Sequence, residues 1–396
     1  MRRFNLKLGD NYILWSLIYI PALIIAIAVF RFDARLDLDE KADKKWARTL
    51  FSQEQKKGPD PFFKNPPEII KAVYLTSSSG GNEKKINWLI DLAKKSELNA
   101  VVIDIKDFSG YVAYDTRIAD VKKYKAERLD IKDIDGLIKK LHDHNIYVIA
   151  RITVFQDPVL VRARPDWAVK NKYTGGIWYD RNGLSWVNPV ASESWDYYID
   201  ISRDAVKRGF DELNYDYIRF PSDGDMTALV FQGWNGKKAK ADIIGEFYKY
   251  LRESLPEVRL SADLFGFVTT HTDDLGIGQL MEKAFAAFDY ICPMVYPSHY
   301  PPKYLGFENP AVYPYEVVHT SMKGGIERLR KYKLEHPENQ TEFRPWLQDF
   351  KLGADYTQAM VEAEIKATQD ALGENYRGFM LWNASNNYHE GVLGKK

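Results

Sequence analysis

Apolar, β-branched runs alternate with helical patterns of apolar residues from residue 71 to the end of the chain. Eight runs have the length and composition of β-strands, and they span residues 71–77, 100–107, 147–155, 212–221, 259–267, 290–298, 342–350 and 378–386. Seven segments between them place apolar residues at helical spacing, over residues 84–97, 133–145, 194–209, 241–255, 276–288, 315–333 and 357–373. This alternation predicts an α/β protein with a closed parallel (β/α)8 barrel, the TIM-barrel architecture.

An open, doubly wound sheet is the alternative arrangement for the same pattern. Sheets of that kind that bind dinucleotides carry a glycine-rich phosphate loop after the first strand. Residues 76–84, TSSSGGNEK, lack that glycine spacing, which favours the barrel. The longest predicted loop, residues 156–194, follows the third strand. In a barrel it lies at the C-terminal rim, where active sites are built.

The N-terminus has the pattern of a membrane anchor. An uncharged apolar run from Tyr12 to Phe30 follows Arg2, Arg3 and Lys7, and about 20 apolar residues span a bilayer. We predict an uncleaved anchor over residues 1–33, with a single pass that places the rest of the chain outside the cytoplasm. The alternative is a secreted protein, released by cleavage near residues 26–28, AIA. A charged, proline-containing linker over residues 34–67 then leads to a barrel domain over residues 68–396.

Composition narrows the classes of partner. Fifty-five basic and 55 acidic side chains balance, so charge gives no reason to expect a nucleic-acid partner. Cys292 is the sole cysteine, which excludes an internal disulfide. No sequence pattern calls for a cofactor.

Carboxylates occupy positions where a buried barrel strand would carry apolar residues. Because side chains alternate along a strand, three aspartates are predicted on the inner faces of strands two, four and five: Asp104, Asp216 and Asp263. In strand four the same inner face is predicted to carry Asn214, Ile218 and Phe220. An ionised carboxylate in an apolar interior costs several kcal/mol unless it is paired or solvated. Three of them at one rim therefore indicate a functional site.

Paired carboxyl groups can hydrolyse a glycosidic bond, because one protonates the leaving oxygen while the other attacks or activates water. We assign Asp216 the role of nucleophile or electrostatic stabiliser, and Asp263 that of general acid and base. Asp104 is the third catalytic candidate, and its alternative is a structural salt bridge to Lys106 or Arg151.

Aromatic side chains near strand ends supply candidate sugar-stacking surfaces. Trp382 and Tyr296 end strands eight and six, and Trp178 lies in the long loop. Arg219 is predicted to orient a carboxylate and Asn214 to contact substrate. Most aromatic residues are simply core, so each of these assignments competes with a packing role.

Two histidines leave a metal-dependent hydrolase as a further alternative. His271 and His299 follow strands five and six, and Asp273 and Asp274 lie near the first of them. Their spacing matches no tight ligand motif, so no metal site is predicted.

Several stretches of the chain resemble one bacterial family, the putative glycoside hydrolase domain, formerly known only as a domain of unknown function. They are KAVYLTSSSGG, VVIDIKDFSGYVAYDT, YVIARITVFQDPVL, FDELNYDYIRFPSDG, ICPMVYPSHY and GFMLWNASNNY. The resemblance covers residues 68–390 and implies a (β/α)8 barrel that hydrolyses sugars.

A more distant similarity links strand four to the chitinase-type pattern Asp-x-x-Asp-x-Asp-x-Glu. Asp211, Asn214 and Asp216 fall on its acidic positions, but Ile218 falls where that pattern has its proton-donating Glu. Trp382 matches the aromatic residue that floors the sugar pocket in that type. The resemblance thus implies a proton donor elsewhere in this chain.

The sequence as a whole predicts a membrane-anchored glycoside hydrolase acting on a polysaccharide or cell-wall glycan outside the cytoplasm. The alternative is a non-catalytic glycan-binding protein on the same barrel, which Ile218 in place of Glu favours.

Overall fold

The computed structural model describes residue 63 and residues 66–396 of the chain. Its strands are β1 (Ile70–Leu75), β2 (Ala100–Lys106), β3 (Tyr147–Thr153), β4 (Lys170–Asn171), β5 (Glu212–Asp216), β6 (Leu229–Val230), β7 (Leu260–Phe265), β8 (Tyr290–Met294), β9 (Glu342–Phe343), β10 (Trp346–Gln348) and β11 (Gly378–Trp382).

The α-helices lie between the strands, close to the predicted segments. They are α1 (Ser77–Gly80), α2 (Glu83–Lys95), α3 (Ala119–Lys123), α4 (Ile134–His142), α5 (Pro158–Ala163), α6 (Trp195–Arg208), α7 (Lys240–Ser254), α8 (Met281–Phe285), α9 (Pro314–Glu335) and α10 (Gln358–Leu372). Short 3₁₀ turns span Pro165–Trp167, Ser192–Ser194, Met226–Ala228, Gly266–Thr269, Pro297–His299, Tyr304–Gly306, Pro310–Val312, Gly373–Asn375 and Glu390–Leu393.

The main sheet closes into a barrel. Its order is β10, β11, β1, β2, β3, β5, β7, β8, β9, and the pairing of Trp346 in β10 with Met294 in β8 completes the ring. All of these pairings are parallel. β9 and β10 are two parts of the seventh stave, since β9 pairs with β8 while β10 also pairs with β11. The predicted (β/α)8 barrel is confirmed.

Two layers of core follow from the alternation of side chains along each strand. Val101 and Ile103 of β2 belong to the layer between the strands and the helices. A second apolar cluster fills the barrel interior: Ile70, Ala72, Tyr74, Ala100, Val102, Tyr147, Ile149, Tyr290, Cys292, Tyr296, Trp346 and Met380. An ion pair between Arg344 and Glu212 is fully buried among these side chains. The interior is thus a packed core into which a few charged groups are set.

β5 ends at Asp216, earlier than the predicted limit of residue 221. Tyr217 adopts a left-handed backbone conformation with φ of 54°, which interrupts the extended pleat. Side chains beyond Asp216 therefore lose the strand alternation. The prediction that Ile218 and Phe220 share the inner face with Asp216 is wrong, because both belong to the outer core layer.

The loop that follows β3 packs against the loop that follows β5. β4 in the first loop pairs antiparallel with β6 in the second, with Lys170 opposite Val230. Trp178 of the first loop donates a hydrogen bond of 2.9 Å to the backbone oxygen of Asp225 in the second. These contacts make one ordered wall above the C-terminal rim of the barrel.

The predicted membrane anchor, residues 1–33, lies outside the described residues, as does most of the predicted linker. Within residues 66–396, no helix is long and apolar enough to cross a bilayer. The anchor, its alternative cleavage and the domain boundary at residue 68 stay predictions.

Candidate active site

A cavity of about 410 Å³ lies at the C-terminal end of the barrel, and we call it the rim cavity. Four charged side chains line it: Arg151, Asp216, Arg219 and Asp263. Aromatic rings form much of the remaining wall: Tyr217, Phe265, Phe267, Tyr296, Tyr300, Trp346 and Trp382. A cavity of this size, with apolar walls and a few convergent polar groups, is typical of a small-ligand site.

Arg151, on the inner face of β3, contacts all three predicted acids. Its Nη1 lies 2.6 Å from Oδ1 of Asp104, and its Nη2 pairs with Oδ2 of Asp216. Its Nε lies 3.5 Å from Oδ2 of Asp263. The three acids therefore converge, as strand alternation predicts, and they converge around one shared cation.

Asp263 is held by two N–H donors on one of its oxygens. Oδ1 accepts hydrogen bonds of 2.8 Å from Nδ2 of Asn214 and 2.6 Å from Nε1 of Trp346. An amide NH₂ and an indole N–H can only donate, so a proton on this carboxyl group belongs on Oδ2. Burial raises the pKa of Asp263 to about 8, and the neighbouring Asp216 carboxylate adds to the rise. The raised pKa favours the protonated form of Asp263, which is the form that a general acid needs.

Asp216 has the opposite surroundings. Its Oδ1 accepts a hydrogen bond of 2.6 Å from the backbone N–H of Tyr217, and its Oδ2 accepts one from Arg151. Donors on both oxygens, one of them a cation, stabilise an ionised carboxylate. The rim cavity thus carries one carboxyl group with a raised pKa and one that is held by a cation and a backbone N–H.

Asp104 lies behind Arg151 and is absent from the lining of the rim cavity. Its Oδ2 accepts a hydrogen bond of 2.5 Å from the hydroxyl of Tyr74, and its exposure is 2 %. Lys106, the other partner considered for it, pairs instead with Asp157 at 2.8 Å. The structure therefore fits the alternative role for Asp104, a salt bridge that orients Arg151.

Trp382 and Tyr296 both line the rim cavity. The ring of Trp382 stacks on Tyr74 with centroids 4.0 Å apart, and it meets Trp346 edge-on at 5.5 Å. The Arg151 guanidinium lies 4.9 Å from the same ring. These contacts fix the indole in place and leave it as a rigid surface of the cavity wall.

Asn214 and Trp178 do not reach the rim cavity, in contrast to the sequence prediction. Asn214 is fully buried and donates to Ser261 at 3.0 Å as well as to Asp263, so it positions the acid. Trp178 is 1 % exposed, and its indole N–H donates to the backbone oxygen of Asp225 at 2.9 Å. Its ring is buried between the loop that follows β3 and the loop that follows β5, so its role is to pack these loops together.

Arg219 lines the rim cavity as predicted, but the carboxylate that it was predicted to orient is not in contact with it. Its Nη1 donates to the backbone oxygen of Phe220 at 3.1 Å and to Oγ of Ser222 at 3.0 Å. Burial lowers the pKa of this guanidinium, against smaller opposing effects led by Tyr217 and Asp216.

A second cavity of about 700 Å³ shares Tyr296, His299 and Trp382 with the rim cavity. Its wall includes Asp349, whose Oδ1 lies 2.6 Å from Nδ1 of His389. The shared residues make the two cavities neighbouring lobes of one cleft, which suits a ligand longer than one ring.

The two histidines of the metal alternative lie in different surroundings. His299 lines both cavities, whereas Nδ1 of His271 contacts the backbone oxygen of Phe267 at 3.0 Å. Over the part of the chain that the structure describes, no three His, Cys, Asp or Glu side chains are grouped so as to hold a metal ion.

Sequence reasoning did not single out Arg151 or Tyr217 as site residues. Arg151 has the inner-face parity of β3, which was an available signal, but it was considered only as a partner for Asp104. Side-chain alternation along strand four would place Tyr217 on the face opposite Asp216, toward the helices. Its left-handed backbone places the ring in the lining of the rim cavity. Glycine is the residue that most readily adopts this conformation, and the sequence has no glycine at this position to indicate it.

Comparison with known proteins finds one matching family and several solved structures that resemble this chain. The family described as the putative glycosyl hydrolase domain matches residues 72–388. A crystal structure of a hypothetical protein from Ruminiclostridium thermocellum is 41% identical, over 52% of this chain and 98% of that chain, with a TM-score of 0.46. No curated protein matches the chain.

The PgaB (BpsB) glycoside hydrolase domain from Bordetella bronchiseptica has a similar fold. The match covers 83% of this chain and 99% of that domain, with 14% identity and a TM-score of 0.57. At this level of identity the likeness is one of fold alone. The family match spans most of the chain, and the chain therefore belongs to the family described as the putative glycosyl hydrolase domain.

Proposed function

We propose that this protein hydrolyses a polysaccharide or cell-wall glycan, with Asp263 as general acid and base and Asp216 as nucleophile or electrostatic stabiliser. The observation that carries the proposal is the pair of carboxyl groups on one aromatic-walled cavity, one with a raised pKa and one paired with Arg151. Two carboxyl groups whose surroundings separate their charge states are what glycoside hydrolysis requires.

The acid step follows from the hydrogen bonds of Asp263. Asn214 and Trp346 hold Oδ1, so the proton on Oδ2 is the one available to a glycosidic oxygen bound in the rim cavity. Transfer of that proton lets the sugar–oxygen bond break without expelling an alkoxide. The Asp263 carboxylate that remains can then accept a proton from the attacking water.

Asp216 faces the positive charge that develops on the sugar ring. Arg151 and the Tyr217 N–H each occupy one of its oxygens. A carboxylate oxygen can accept a second contact, so Asp216 remains able to attack or to stabilise the developing cation. Arg151 is a positioning residue for both acids.

The location outside the cytoplasm is part of the proposal. It rests on the uncharged run from Tyr12 to Phe30 and the basic residues before it. A polymeric glycan at the cell surface is the substrate that an anchored barrel would meet there.

The proposal is tested by turnover on a panel of bacterial cell-wall and exopolysaccharides, measured as release of reducing ends. D216N and D263N are compared with D91N, a carboxylate replaced on the exposed face of α2. The proposal expects loss of turnover in both site variants, with near-native circular dichroism, and full turnover in D91N. Unchanged turnover in both site variants would refute it.

A second candidate function is glycan binding without hydrolysis. One observation favours it: all three acids contact Arg151, so each is at least partly neutralised. Binding by wild-type protein, with no reducing ends released from any glycan that it binds, would select this function.

A further inference from the structure

Arg219 is a buried cation that has no anionic partner of its own. Its exposure is 6 %, and among the described residues no Asp or Glu oxygen forms an ion pair with it. Asp216, Asp223 and Asp180 act on it only through longer-range electrostatic attraction. By contrast Arg151, the other arginine of the rim cavity, contacts three carboxyl groups.

Aromatic rings surround the Arg219 guanidinium. Its central carbon lies 4.8 Å from the centroid of Trp186, 5.2 Å from that of Tyr217 and 4.7 Å from that of Phe265. Such rings stabilise a cation and hold its side chain in place. They do not supply acceptors for its N–H groups.

Among the described residues, Arg219 has hydrogen-bond acceptors for only some of its N–H groups. A guanidinium has five N–H donors, and Nη1 uses its two on Phe220 and Ser222. Nε and Nη2 have no acceptor among the described residues. Neither nitrogen is among the fully buried atoms that lack a partner, so both remain accessible to a ligand at the wall of the rim cavity.

We propose that Arg219 binds a carboxylate on the substrate, and hence that the glycan recognised at the rim cavity contains an acidic sugar. This rests on the proposed function only for the position of the site, because recognition by Arg219 does not need hydrolysis. The free Nε–H and Nη2–H groups provide the paired donors that two carboxylate oxygens accept.

Charge balance favours a carboxylate over a phosphate ester. Arg151 and Arg219 carry two positive charges against up to two negative charges on Asp104 and Asp216, so at most about one positive charge is uncompensated at this site. A phosphate monoester carries a charge of about −1.5 to −2 at pH 7. The charge of a carboxylate matches that of the one guanidinium with free donors, whereas the charge of a phosphate monoester exceeds it.

The test is binding of matched oligosaccharide pairs to the full chain, measured by calorimetry. The probes are oligosaccharides containing glucuronate, galacturonate or N-acetylmuramate, each paired with its carboxyl-reduced form, and neutral oligosaccharides carrying a phosphate ester. We expect at least one acid to bind about tenfold or more tightly than its reduced form, as hydrogen bonds to a charged group allow. R219Q should abolish that preference, so that the acid and its reduced form bind to this variant with equal affinity.

R181Q is the matched control, because Arg181 is exposed in the same rim loops and does not line either cavity. It should keep the preference of the wild type. R219K separates the effect of charge from that of donor geometry, since a lysine keeps the positive charge but loses the paired donors. It should retain only part of the preference for the acid over its reduced form. Thermal unfolding of each variant verifies that it folds.

Equal affinity of wild-type protein for every acid and its reduced form, or an acid preference that survives in R219Q, would overturn the proposal. Selective binding of the phosphate esters would replace it with a phosphate site. Failure of this inference is distinct from failure of the hydrolase proposal: cleavage of glycans by wild-type protein, together with equal affinity for every acid and its reduced form, would leave hydrolysis intact and remove the acidic substrate.

Discussion

The indole N–H of Trp346 donates a hydrogen bond of 2.6 Å to Oδ1 of Asp263 across the barrel interior. The two residues lie on β10 and β7, with β8 between them in the ring. Because the indole can only donate, this bond assigns the proton of Asp263 to the other oxygen. It also favours the ionised form of the carboxyl group, against the larger effect of burial.

Replacing Trp346 with Phe should therefore move the pH dependence of activity. Loss of the indole donor removes an interaction that stabilises the carboxylate, so the pKa of Asp263 should rise above about 8. The alkaline limb of the kcat/KM profile, which reports the general acid of the free enzyme, should shift to higher pH. W88F, at a partly buried tryptophan on α2, is the control. An unmoved limb, or one displaced to lower pH, would contradict this assignment.

Asp263 should also make stability fall as pH rises. Its carboxyl group has a pKa of about 8 in the folded protein, against an ordinary value of 3.8 for an exposed aspartate. Between those limits the folded state holds a proton that the unfolded state has lost, so the free energy of unfolding decreases as pH increases. Asn cannot titrate, and D263N should lose this part of the slope. Melting temperatures at pH 5, 7 and 9 measure it; parallel slopes for wild type and D263N would count against the raised pKa.

Removal of Arg151 should destabilise the protein by about 3–5 kcal/mol, because R151M leaves buried carboxylates without their cation. Denaturant unfolding of R151M measures this loss, and R181M, at an exposed arginine, should change stability by less than about 0.5 kcal/mol. A loss below about 1 kcal/mol in R151M would mean that the three acids do not depend on it.

The alternation of strand and helix segments was enough to predict the barrel. The alternation of side chains along each strand was enough to place Asp104, Asp216 and Asp263 on the inner face, and hence close together. It could not predict their charge states. Those depend on Trp346 and Asn214 reaching Asp263 from other strands, and on Arg151 lying between the acids. Contacts between strands that are far apart in sequence cannot be predicted from the local residue pattern of either strand.

The end of strand four shows a second limit. The run NYDYIRF looks like continuous strand because four of its seven residues, two Tyr, one Ile and one Phe, are types enriched in strands. Tyr217 instead adopts a left-handed conformation, in which its ring contacts that of Trp186 at a centroid distance of 5.8 Å. Parity counted through such a residue gives the wrong face, which is why Ile218 and Phe220 were misplaced.

The conformation of Tyr217 can be tested by comparing two truncations. Y217A and Y217G both remove the ring, but only alanine retains a Cβ that disfavours a positive φ. Y217G should therefore be more stable than Y217A by about 1 kcal/mol, measured by denaturant unfolding. At an ordinary strand position the order reverses, with glycine less stable than alanine, and that result would rule out the left-handed turn.

The most direct test of the central claim, that Asp263 donates the proton to the leaving group, is the dependence of D263N activity on leaving-group acidity. Once a cleaved glycan is known, kcat/KM is measured on it and on aryl glycosides of the same sugar with leaving groups of decreasing pKa. The account predicts a loss of about 10²- to 10⁴-fold on the natural glycan, shrinking steadily as the leaving group becomes a better one. A uniform loss on all substrates would contradict the claim, since it would show that Asp263 acts elsewhere than on the leaving oxygen.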